Sequence, residues 1–205
     1  MATPERKTVP TSDESGLRKF TYRDLLEMEK RGIIGEDERI ELLGGLIYKV
    51  TIKPPHAFCT SWLAQNLTLA FIGRAQVSSQ NPLRLSNDMD DTELPQPDVM
   101  LMENKLYFDH PRPENIYLAV EVSDSTLRKG KVLKLPLYAR AEVPEVWLVN
   151  LVQRRLEVYT EPKNGEYARR VNEDLTATLA PTAFPDTAQQ WLPDEVLELL
   201  DKHDL

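Results

Sequence analysis

Only one cysteine, Cys59, and three histidines stand among the 205 residues, and this scarcity removes several chemistries at once. A lone thiol cannot close an internal disulfide, which suits a reducing cytoplasm. Cys59 reads as a small buried apolar residue rather than a nucleophile. His56, His110 and His203 lie too far apart for zinc-ligand spacing, and His56 reads as a helix cap. Ser123 and Ser125 have no His and Asp in a pattern that would activate them, which argues against a serine hydrolase. The glycines form no phosphate-cradling loop. Apolar runs fall well short of the roughly 20 residues that a membrane-spanning helix needs. Residues 1–19 lack the apolar segment of a secretory signal.

What remains is an ordinary globular composition, 41% apolar and 28% charged. The length suits a single domain over residues 20–205, preceded by a tail, 1–19, whose Thr, Ser, Pro and charge point to disorder. A net charge of -8 argues against a general nucleic-acid coating protein. The densest basic stretch is Arg128, Lys129 and Lys131, followed by Lys134 and Arg140, and it is the candidate nucleic-acid contact. Residues 87–93, with four acids in seven positions, read as a solvated loop without the ligand spacing of a calcium site.

Hydrophobic periodicity predicts a mixed α/β order. A helix begins at Tyr22, capped by Thr21, and ends by Gly32. A hairpin joins 39–43 to 46–52 through Gly44-Gly45. After a break at Pro54-Pro55, a helix runs from His56 to about Gly73. Short strands follow at 75–79 and 82–85, then longer ones at 97–102 and 116–123. The remaining expectations are a helix at 131–141, strands at 145–150 and 154–160, a hairpin-like pair within 165–180 and a helix at 194–200. The strand-helix-strand passage from Leu118 to Asn150 implies a parallel pair with a right-handed crossover.

Three acids interrupt apolar runs: Glu41, Asp98 and Glu121. A buried carboxylate costs about 2 kcal/mol or more unless it is paired or holds a metal. Glu121, inside Leu118-Ala119-Val120 and Val122, therefore needs a partner, and Arg128, Lys131 or Lys134 could each supply a salt bridge. Lys134 and Tyr138, four apart, share a helix face that could be presented to the same place. Carboxylates at one end of adjacent strands suit Mg²⁺, a hard cation that prefers oxygen. A lysine beside them can orient water or steady charge developing on a phosphate. The pattern points to a metal-dependent phosphodiesterase.

Five segments in order carry a resemblance: Arg39-Ile40-Glu41-Leu42-Leu43-Gly44-Gly45, Pro97-Asp98-Val99, Val120-Glu121-Val122-Ser123, Lys134-Leu135-Pro136-Leu137-Tyr138-Ala139, and Val143-Pro144-Glu145-Val146-Trp147. Together they resemble the Uma-two family of restriction-endonuclease-like proteins, within the PD-(D/E)XK nuclease superfamily. The resemblance implies a restriction-endonuclease-like core, a mixed sheet flanked by helices. It also implies Mg²⁺ or Mn²⁺ on Asp98 and Glu121, with Glu41 in support. The superfamily lysine two residues after the second acid is replaced here by Ser123, and Lys134 on the following helix becomes its match. Gly130, Glu142, Asn150 and Gly44 depart from the family pattern without removing a catalytic candidate. The expected function is a Mg²⁺-dependent endonuclease acting on DNA, for which a homodimer would suit cutting both strands. The alternatives are a non-catalytic scaffold that keeps the nuclease fold, or an acidic partner of a basic protein.

Overall fold

The computed structural model describes residues 16–35, 38–123 and 133–201. Its frame is a six-stranded mixed sheet in the order β3 (Ala75–Ser79), β4 (Val99–Glu103), β5 (Ile116–Ser123), β6 (Glu145–Asn150), β7 (Arg155–Lys163) and β8 (Glu166–Asp174). The β5 and β6 strands are parallel, joined through α3 (Leu135–Arg140), and every other neighbouring pair in this sheet is antiparallel.

β5 and β6 are buried on both faces, which is why they read as continuous apolar runs rather than alternations. Leu118, Val120, Trp147 and Val149 pack on one side against Leu63, Leu67 and Phe71 of α2 (Pro54–Phe71) and Val196 and Leu200 of α4 (Asp194–Asp201). Ala119, Val146 and Leu148 pack on the other side with Tyr138 of α3. Glu121 follows Ala119 by two residues and so belongs to the α3 side of the sheet. Cys59 lies in the first core with no exposed surface, and burial pushes its thiol pKa up to about 12. Ellman's reagent at mildly alkaline pH should therefore leave the native thiol unmodified and react fully only after unfolding. Rapid modification of the native chain would contradict this burial.

A separate two-stranded hairpin, β1 (Ile40–Leu43) and β2 (Leu46–Lys49), packs with α1 (Tyr22–Lys30) around Ile40, Leu42, Tyr22 and Leu25. Thr21 and Asp24 form a reciprocal capping box at the start of α1. One bridge, Leu42 to Leu94, ties the hairpin to the segment leading into β4.

Several expectations are corrected. Pro54 and Pro55 do not break the chain; they open α2, where a missing N–H is harmless, and the N-cap position belongs to Lys53 rather than His56. Residues 82–85 form no strand, because Leu83 and Arg84 donate to the carbonyls of Pro95 and Pro111 in loops instead of to a ladder. Asp98 precedes β4 rather than lying in it. Within 165–180, β8 pairs with β7, while β9 (Thr178–Leu179) pairs with β10 (Gln189–Gln190). In the described residues α3 runs from Leu135, with Lys134 as its N-cap. Arg128, Lys129 and Lys131, and most of the expected N-terminal tail, lie outside the described residues.

Candidate active site

β4 runs antiparallel to β5, so the residue before β4 stands beside the end of β5. This topology brings Asp98 to Glu121: the Val122 amide donates to Asp98 Oδ2 at 2.7 Å. Glu41 arrives from the separate hairpin, and its Oε1 accepts the Gln96 amide at 3.0 Å. Between the carboxylates lies Lys134. Its ammonium is 2.6 Å from Glu41 Oε1 and 2.8 and 3.0 Å from the two Glu121 oxygens, and it donates to the Gln96 carbonyl at 2.9 Å. Tyr138, one turn further along α3, donates its hydroxyl to Glu121 Oε1 at 2.5 Å. All four proposed catalytic residues therefore meet in one place.

This cluster is buried at its base. Glu41, Glu121 and Lys134 are exposed by only 3%, 5% and 6%. Burial raises the Glu121 carboxyl to about 7, helped by the nearby Asp98 and Glu41 carboxylates and opposed by Lys134. Burial alone would lower the Lys134 ammonium, but Glu121, Glu41 and Asp98 outweigh it and hold its pKa above the usual lysine value. Tyr138 is pushed well up by burial and by Glu121, so its hydroxyl stays a neutral donor. The salt-bridge partner that Glu121 requires is thus Lys134. Two further carboxylates remain around one ammonium, a local excess of negative charge that favours an added cation.

The cluster floors an open pocket of about 310 Å³, whose wall includes Arg39, Lys49, His56, Gln80 and Ser123. Among the described residues no group of three or more His, Cys, Asp or Glu is gathered as a ready metal cage. Lys134 stands between Glu41 and Glu121, which is the physical reason. A Mg²⁺ ion needs less than a cage, since it keeps several waters and takes one or two carboxylates. Asp98 meets that requirement. Its hydrogen bonds to His56 and to the Val122 amide both fall on Oδ2, which leaves Oδ1 without one among the described residues. Asp98 thus offers a carboxylate oxygen to a hard divalent cation, and Glu121 beside it would join such an ion by sharing an oxygen that already accepts from Lys134.

The family model described as "Uma2: Putative restriction endonuclease" matches residues 22–195. The chain belongs to this family. The Uma2 match spans α1 to the start of α4 and includes every residue of the cluster. A solved structure described as a "putative nuclease belonging to DUF820", from Anabaena variabilis, superposes with a TM-score of 0.66 at 11% identity, covering 88% of this chain and 99% of that one. The fold of this Uma2 chain is thus nuclease-like, a mixed sheet flanked by helices. No curated protein matches the sequence.

Some members of the site gave little signal. His56, in the first turn of α2, has Nε2 3.2 Å from Asp98 Oδ2, and Thr60 Oγ1 is 3.4 Å from its Nδ1. Its place on the pocket wall follows from Pro54-Pro55 starting the helix early. Gln96 lies between Pro95 and Pro97, and a residue before proline is held extended, which was the available clue to a straight segment delivering a carbonyl. Nothing in the sequence marks Gln80.

Proposed function

We propose that this Uma2 chain is a Mg²⁺- or Mn²⁺-dependent endonuclease that hydrolyses phosphodiester bonds of DNA, working in the cytoplasm. The observation that carries the reading is the buried Lys134 ammonium among three carboxylates at the floor of an open pocket. A divalent ion at such a site supplies Lewis-acid polarisation of the phosphate and a more acidic bound water. Asp98 and Glu121 would hold that ion, and Glu41 keeps the cluster together through Lys134 and the Gln96 amide. Lys134, a cation over any working pH, steadies negative charge on the phosphate or orients the attacking water. Tyr138 fixes the rotamer of Glu121 by its hydrogen bond to Oε1. A homodimer would present two such pockets to the two strands of a duplex, with the basic stretch of Arg128, Lys129 and Lys131 in contact with the backbone.

The Lys134–Glu121 ion pair also favours a second reading, a scaffold whose site is closed by its own lysine. Calorimetric titration with Mn²⁺ separates the two. The nuclease reading expects binding by the wild type, its loss in folded Asp98→Asn, and Mn²⁺-dependent nicking of plasmid DNA by the wild type alone. Absence of Mn²⁺ binding in the well-folded wild type would move the conclusion to the scaffold.

A further inference from the structure

We infer that Arg39 and Gln80 form a phosphate subsite at the mouth of the pocket, which holds the nucleic-acid strand next to the phosphate being cut. The inference rests on the nuclease reading and assigns a binding role to two residues outside the catalytic cluster. Its first support is register. Arg39 is two residues before Glu41, and the Val50 amide donates to the Arg39 carbonyl at 3.0 Å, which continues the hairpin pairing past β1. Alternation along a strand puts Arg39 and Glu41 on the same face, and both line the pocket. Glu41 is buried at the floor and Arg39 exposed at the rim. A two-residue step spans about 6.6 Å, comparable to the spacing of successive phosphates along an extended strand.

Charge supplies the second support. A polyanion must enter a pocket floored by carboxylates on a chain of net charge -8, so the rim needs a cation. Lys49 lines the rim but is 3.4 Å from Glu38. Among the described residues the Arg39 guanidinium has no carboxylate partner; it donates instead to the Gln80 side-chain carbonyl. A guanidinium keeps further N–H donors in a planar fork that matches two phosphate oxygens.

Gln80 is the third support. Its backbone sits in the left-handed region at φ 54, a conformation uncommon outside glycine that concentrates at functional sites. Its amide donates to the Asp98 carbonyl at 3.1 Å. The residue that orients Arg39 is thereby anchored to the residue proposed to hold the metal, and the rim and the floor form one unit.

Fluorescence anisotropy with labelled DNA oligonucleotides, single-stranded and duplex in parallel, tests the assignment, with Ca²⁺ replacing Mg²⁺ to suppress cleavage. Arg39→Ala should weaken binding about tenfold and lower the salt slope by about 1, with thermal midpoint and Mn²⁺ affinity unchanged. Arg39→Lys should recover the slope but not the full affinity, since it restores the charge without the fork. Wild-type affinity and slope in Arg39→Ala would overturn the subsite and leave the nuclease reading standing. Failure of the wild type to bind either form would overturn both.

Discussion

Replacing Lys134 by Met should destabilise the fold by about 3–5 kcal/mol at neutral pH, the scale for breaking a buried ion pair by removing one partner. The side chain is buried at the pocket floor, and its ammonium contacts Glu41, Glu121 and the Gln96 carbonyl. Methionine fills much of the volume, so the loss is electrostatic: buried carboxylates would face one another with no cation between them. Urea denaturation checks the magnitude. The penalty should shrink in acid, where protonation of the carboxylates relieves the repulsion. A second replacement, Glu121→Leu on the Lys134→Met background, should recover part of the stability by removing one of the stranded charges. A loss below about 1 kcal/mol in the single variant would mean that the ammonium does not neutralise the cluster. Nuclease activity should be absent from both variants.

Glu121→Gln should reduce Mn²⁺ affinity by at least about 100-fold, beyond the 10- to 100-fold typical of groups that only support a ligand. Calorimetry at neutral pH measures it, and an affinity within twofold of wild type would remove Glu121 from the metal site. The pH dependence has a definite sign. Folded Glu121 keeps its proton up to about 7, whereas the unfolded chain releases it near the ordinary glutamate value. Between those values the folded state binds more protons, so this group makes wild-type stability fall as pH rises through the window. The Gln variant lacks that component, and its stability profile should be flatter there. Metal affinity of the wild type should instead climb as pH rises through about 7, because a metal ligand must be deprotonated.

The parts of this molecule that sequence reasoning captured share a physical cause. β5 and β6 are central, buried on both faces and rich in branched side chains, so composition alone marks their ends. Glu121 stands out because a carboxylate within such a run must have a partner, and Lys134 and Tyr138 follow from helical spacing. The segment 82–85 has the composition of a strand, but the Leu83 and Arg84 amides donate to carbonyls of distant loops, at Pro95 and Pro111, and no ladder forms. The contact of His56 with Asp98 joins positions 42 residues apart in the chain, and the Arg39–Gln80 contact joins positions 41 apart. No periodicity encodes such pairings, which arise only when the hairpin, α2 and the approach to β4 are packed together.

The origins of the groups around Lys134 bear on how the chain reaches its native state. Glu41 comes from the hairpin, Gln96 from the strap before β4, Glu121 from the central strand and Lys134 itself from the start of α3. In any partly assembled chain that lacks one of these pieces, the ammonium must either stay in water or be enclosed without its full set of acceptors, and the second is expensive. Enclosure therefore comes only with the whole set. Four separate segments are made to commit together, and the groups proposed for catalysis double as a cooperative lock on folding.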